Sequence, residues 1–151
     1  MTGGSRVFVA PGQGRVLRAF GEEVTILLDH EQTGGRLTVW TEVTPTGGGP
    51  PLHFHINDDE LFHILEGRVS FFQNNTWQEV GPGGSVFIPR GQLHTFKNVG
   101  DRPSRMLLLT TPGGIDVFFT RCAAEFSKPG SPDMPRIFEI AAEHGIHFVQ
   151  E

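Results

Sequence analysis

Hydrophobic and polar positions alternate through much of the first 110 residues, and a period of two predicts β-strands. In RLTVWTEV, residues 36–43, Leu37, Val39, Thr41 and Val43 share one face while Thr38, Trp40 and Glu42 share the other. ELFHILEG, RVSFFQ, SVFIP, HTFKNV and RMLLLTT read as further strands. Turn residues separate them: Gly67, Gly81-Pro82-Gly83-Gly84 and Gly100-Asp101. Asn74-Asn75 predicts a hairpin turn, because asparagine tolerates positive φ. Short, evenly spaced strands from about Arg15 to Thr111 predict an antiparallel sandwich or barrel.

The period changes after Thr111. Ile115, Phe118, Phe119, Cys122, Ala123 and Phe126 recur at helical spacing and form one apolar stripe. KPGSP at 128–132 ends that helix. Asp133 is positioned to cap a second one, with Pro135 in its first turn and Gly145 as its stop. The two short C-terminal helices are expected to pack on the outside of the β domain or to extend a dimer interface.

Composition narrows the partners. At 151 residues the chain has the length of one domain with its own core. Net charge is -5 and no lysine or arginine cluster occurs, which argues against nucleic acid and anionic membranes as partners. A single cysteine, Cys122, allows no intrachain disulfide and agrees with a reducing, cytoplasmic location. The segment MTGGSRVFVAPGQG lacks the uninterrupted apolar stretch of a secretory leader. No apolar run approaches the roughly 20 residues that span a bilayer.

Chemistry concentrates in PPLHFHINDDE, residues 50–60. On a strand, residues i and i+2 point the same way, so His53 and His55 project side by side toward one ion. Glu60 opens the next strand. If it faces a cavity, His63 faces away and is no ligand. His94 follows the PRGQL turn and supplies a fourth ligand. Asp58 and Asp59 read as solvated turn residues. Neutral imidazoles with one carboxylate suit a divalent Fe, Ni, Mn, Cu, Co or Zn ion, and four ligands leave room on the ion for a substrate.

The spacing resembles that of the cupin superfamily. Gly47, His53, His55, Glu60 and Gly67 fill the fixed positions of its first motif, G-x5-H-x-H-x(3 or 4)-E-x6-G. Gly83, Pro89, Gly91, His94 and Asn98 fill those of the second, G-x5-P-x-G-x2-H-x3-N. The resemblance implies a single all-β cupin domain over residues 1–151: an antiparallel jelly-roll barrel at about 25–112 and a helical extension at about 113–151. It carries the metal ligands onto His53, His55, Glu60 and His94. Asn98 is expected to secure adjoining backbone. GGRLTVWTEVTPTGGGPPLHFHINDDELFHILEG and FEIAAEHGIHFV are also similar to single-domain bacterial cupins grouped with quercetin dioxygenases.

That grouping implies a metal-dependent dioxygenase acting on a small aromatic or enolisable substrate with O2. Glu60 would then be ligand and catalytic base at once. Phe54, Phe62, Phe71, Phe87 and Phe96 are candidates to line the cavity. Cupins of this size also include isomerases, decarboxylases and lyases, and others only bind a small molecule. A homodimer is expected, since single cupins leave strand edges and apolar outer faces to cover.

Overall fold

The alternating segments form strands and the helical stripe forms a helix in a computed structural model that describes residues 6–149. The first five residues of the segment read as lacking a leader lie outside the described residues. In chain order the elements are β1 Arg15–Ala19, β2 Glu22–Leu28, β3 Thr38–Thr44, β4 His53–His55, β5 Asp59–Glu66, β6 Val69–Gln73, β7 Thr76–Val80, β8 Ser85–Ile88, β9 His94–Asn98, β10 Ser104–Thr111, α1 Ile115–Phe126, α2 Met134–Glu143 and β11 Ile146–Phe148. No described helix is long and apolar enough to cross a membrane.

Two antiparallel sheets face each other. One runs β1-β2-β3-β10-β5-β8 and the other β11-β4-β9-β6-β7. This is the jelly roll of the cupin fold, built as two packed sheets rather than one hydrogen-bonded closed barrel. The sheets begin at Arg15, where the strand pattern predicts the first strand. Between them lie Trp40, Phe62, Ile64, Val69, Phe71, Ile88, Phe96, Met106 and Leu108, all buried. Their contact closes the core at a few kcal/mol or less per large side chain.

The alternation in β3 is as expected, but the inner face is the more polar one. Thr38, Trp40, Glu42 and Thr44 point inward, while Val39 and Val43 are half-buried on the outer face. Tryptophan dominates the choice. It has the largest apolar area of the strand, and a one-residue slip would move it into water.

The motif glycines are where a Cβ would be strained: Gly47, Gly67, Gly83 and Gly91 all have φ between 78° and 92°. Asn74 and Asn75, at φ 53° and 60°, form the two-residue loop between β6 and β7. Asn98 does secure backbone. Its amide nitrogen donates to the Thr44 and Arg102 carbonyls, and its oxygen accepts from Gly100 N. It also exchanges main-chain hydrogen bonds with Gly47 and Gly48, stitching the two motifs together.

The C-terminal region departs from expectation in position. Asp133 caps α2 by accepting from Arg136 N, and Gly145 ends it at φ 74°. The helices do not simply cover the outside. Ile115, Phe118 and Phe119 of α1 reach the interior and wall a cavity between the sheets. After α2 the chain adds β11, a strand the period-two reading missed because it is only three residues long. It pairs with β4, the strand that carries His53 and His55.

Candidate metal centre

β4 and β9 are antiparallel neighbours, and His53 lies directly opposite His94 in their register. His55, two residues on, shares the inward face. Glu60 comes from the opposing sheet, on β5 between Ile88 of β8 and Thr110 of β10. The four side chains are all buried, and one ligand atom from each lies within 4.8 Å of the others. All four residues expected as ligands are therefore brought together. His63 points outward and shares a hydrogen bond with Ser85 Oγ.

Each histidine is fixed by its other nitrogen. His53 Nδ1 donates to the Pro51 carbonyl at 2.8 Å, and His94 Nδ1 to the Gln92 carbonyl at 2.8 Å. His55 Nδ1 bonds Asp58 Oδ1 at 2.7 Å. A carbonyl accepts only, so the proton sits on Nδ1 and Nε2 keeps a bare lone pair. His94 Nε2 then faces Glu60 Oε1 at 3.2 Å, and His55 Nε2 faces the same oxygen at 3.7 Å. Acceptors facing acceptors in a buried site call for a cation. Three neutral imidazoles and one carboxylate, each oriented from behind, are the donor set of a divalent transition metal.

The electrostatics agree for His53 and Glu60. Burial, helped by the neighbouring His94 and His55, pulls the pKa of His53 down to about 3, so its imidazole stays neutral. Burial would raise that of Glu60, but the neighbouring His55, His94 and His53 together hold the carboxyl below its usual range. His55 is drawn both ways: burial lowers it, while Glu60 and Asp58 together raise it further.

Asp58 and Asp59 are not merely solvated. Asp58 orients His55, and its side chain is only 12% exposed. Asp59 accepts from Arg90 N and from the Arg90 guanidinium, tying the start of β5 to the turn that leads His94 inward. An aspartate three residues after a metal-ligand histidine was the available sequence signal for Asp58.

The cluster opens on a cavity of about 50 Å³. Of the expected phenylalanines, Phe62 and Phe96 line it. Phe71 packs behind them, 5.1 Å and 5.9 Å from their ring centroids. Phe54 stacks on His147 instead, and Phe87 is 57% exposed on the outer face. The other aromatic walls are Phe20, Trp40, Phe118, Phe119 and Phe148. Phe148 of β11 lies 5.5 Å from the His53 ring. Two carboxyls, Glu22 and Glu42, also line the cavity and were not anticipated. Cys122 is no nucleophile, since burial pushes its thiol up to about 12.

Comparison with known proteins agrees with this geometry. Residues 39–110 match the cupin domain family. An uncharacterized protein of Methanocaldococcus jannaschii is 33% identical over 70 residues, 46% of this chain and 56% of that protein. Germin-like protein 3-7 of Oryza sativa subsp. japonica is 31% identical over 104 residues, 64% of this chain and 45% of that protein. The chain thus spans about half the length of these curated relatives. Among solved structures, a predicted oxalate decarboxylase from Thermotoga maritima superposes with a TM-score of 0.66 at 21% identity, over 70% of this chain and 99% of that one. The polyketide cyclase RemF from Streptomyces resistomycificus gives 0.61 at 24% identity, over 71% and 80%. At these identities the likeness is one of fold. With the matched segment, the jelly roll and the His/Glu cluster, residues 39–110 lie in a cupin domain.

Proposed function

We propose that this chain is a metal-dependent enzyme acting on a small, oxygen-bearing, enolisable substrate. The observation that carries the reading is the four-ligand cluster opening into an aromatic cavity rather than being closed off by protein. The bound metal would act as a Lewis acid toward a substrate oxygen. His53, His55 and His94 would hold it through Nε2. Glu60 is anionic and would hold it too. To take a proton from a substrate hydroxyl at its Oε atoms, it must first loosen from the ion.

The cavity volume narrows the substrate. About 50 Å³ accommodates on the order of two water molecules at the volume each takes in the liquid. A compound of a few carbon atoms fits that space, whereas a flavonol requires the Phe20, Phe118 and Phe148 wall to move. The dioxygenase reading therefore favours a small dicarbonyl over a flavonol. Neighbours named as a predicted oxalate decarboxylase and a polyketide cyclase support reactions at carbonyl carbon more generally.

Oxygen uptake by protein loaded with Fe, Mn, Ni, Co, Cu or Zn, given 2,4-pentanedione or quercetin, tests the reading. Uptake with the diketone supports a dioxygenase. Turnover that persists in anaerobic buffer points to an isomerase, decarboxylase or lyase. No turnover by any loaded form, with a small molecule retained unchanged through purification, favours a binding module.

We also infer a homodimer. The outer face of the six-stranded sheet presents half-buried Val39, Val43, Leu61, Leu107 and Leu109 beside exposed Phe87. A monomer by sedimentation at micromolar concentration overturns this. The lone buried cysteine supports a cytoplasmic site of action.

A further inference from the structure

The cavity has a second polar pole. Glu22 and Glu42 are 6% and 5% exposed, and apart from the metal cluster they are the ionisable groups that line it. Glu22 lies at the start of β2. Glu42 is on β3, opposite Val24 of β2 and Met106 of β10. Thr44 Oγ1 donates to Glu22 Oε1 at 2.5 Å, and Trp40 Nε1 donates to Glu42 Oε1 at 2.9 Å. Among the described residues, no lysine, arginine or histidine pairs with either carboxyl. Buried carboxyls normally sit beside a cation. Here none is supplied, and the space beside them is open cavity walled by Phe20, Phe118 and Phe119.

We propose that Glu22 and Glu42 form a hydrogen-bonding pole of the substrate cavity, which holds a neutral hydroxyl of a substrate whose other end reaches the His53–His55–Glu60–His94 cluster. The inference rests on reading the cavity as a substrate site. The pair has the right chemistry for a hydroxyl. Burial, then the charge of Glu42 and a hydrogen bond with it, hold Glu22 well above the usual carboxylate range. Glu42 is also raised by burial, while the bonds from Glu22 and Trp40 work against that rise. Glu22 therefore keeps the proton and Glu42 accepts it. With that proton shared between them, the pair keeps free oxygen lone pairs and no free O–H, so it is completed by a group that donates, as a hydroxyl does. A second carboxylate in the same place would meet the charge of Glu42 and, farther off, that of Glu60, which already bears on both glutamates. The pole thus selects against dicarboxylates that would span the cavity.

Two series of acids with a common carboxylate anchor test this. The first is propionate, 3-hydroxypropionate, malonate and β-alanine; the second is butyrate, 4-hydroxybutyrate, succinate and 4-aminobutyrate. Binding is read as the change in the visible absorption of the cobalt-loaded protein. The hydroxy acid of at least one series is expected to bind about tenfold tighter than its methyl analogue, with the diacid weakest. In Glu22→Met/Glu42→Met that preference should vanish. In Glu22→Gln/Glu42→Gln, which keeps the shape and the neutral hydrogen bonds, the penalty on the diacid should vanish. The infrared carbonyl band of a protonated carboxylic acid at neutral pH should disappear in Glu22→Gln and persist in Glu60→Gln. Binding at cobalt with no preference for the far end in either series, or tightest binding of the amino acids, overturns the hydroxyl pole and leaves the substrate cavity standing. No absorption change with any acid overturns the substrate cavity itself, and the pole with it.

Discussion

The two polar clusters of this interior answer the same electrostatic demand by different means. Each gathers oxygen or nitrogen acceptors away from water, within one cavity. In the histidine cluster the donors are turned away: Nδ1 of His53 and His94 bonds a carbonyl, so three bare nitrogens and the Glu60 carboxylate converge. In the glutamate pair a proton already lies between the acceptors, and Thr44 and Trp40 supply the remaining donors. The first arrangement is completed only by a cation. The second is completed by the chain itself and keeps only acceptor lone pairs, which suit a neutral group that donates. Anchoring of the unused nitrogen is what marks a metal site here, more than the number of acidic or basic residues.

The largest effect that would break this contrast is loss of the metal. Protein carrying His94→Ala should retain less than about a tenth of an equivalent after dialysis, against about one equivalent in the parent, by elemental mass spectrometry. Retention near one equivalent would mean that the converging nitrogens are not the ligands. Asp58→Ala should weaken metal affinity by about 10- to 100-fold with an unchanged circular dichroism spectrum, because it releases the His55 ring rather than a ligand.

Stability gives the next contrast. Asp116 is buried near the start of α1 and accepts from Thr38 Oγ1, His30 N and His30 Nδ1. Asp116→Asn should cost about 1 to 3 kcal/mol in urea unfolding, since it weakens hydrogen bonds to a buried charge. Burial opposes the ionised form of Asp116, but the bonds from His30 and Thr38 prevail and lower its pKa. Its contribution is therefore complete above about pH 3.9 and fades as pH falls through the lowered value. The His30 pKa is raised, chiefly by its bond to Asp116. That contribution is complete below about pH 6.5 and fades as pH rises through the raised value. The window between the two is where Asp116→Asn should matter most.

Glu22 works with the opposite sign to Asp116. A raised carboxyl stabilises the fold below about pH 4.3 and loses that contribution as pH climbs through its native value. Metal-free parent protein should thus lose melting temperature relative to Glu22→Gln toward alkaline pH. Parallel curves would place no proton on Glu22. The smallest effect is expected at His63→Ala: the side chain faces outward, so metal content should stay near that of the parent.

The ligand set was readable because its signals are local. Two histidines two apart on a strand must share a face, and Gly91 and Pro89 mark the turn that returns His94 to them. The glycines at positive φ were legible for the same reason. What escaped the sequence depends on contacts between distant segments. Glu42 was correctly placed beside Trp40 on one face of β3, but only the opposing sheet and α1 decide that this face is inside. Glu22 meets Thr44 across 22 positions. The inward reach of Phe118 and Phe119 follows from where α1 docks, which helical spacing alone leaves open.

The pairing of β11 with β4 has a consequence during synthesis. Ile146 lies opposite His55, 91 residues later in the chain. At a ribosomal pace of 5–20 residues per second, the ligand strand waits about 5 to 20 s for its outer neighbour. Through that interval β4 is an open edge, able to accept a strand from another nascent chain. Pro50 and Pro51, which cannot donate main-chain hydrogen bonds, stand just upstream of His53, with only Leu52 between, and shorten the stretch of backbone on offer.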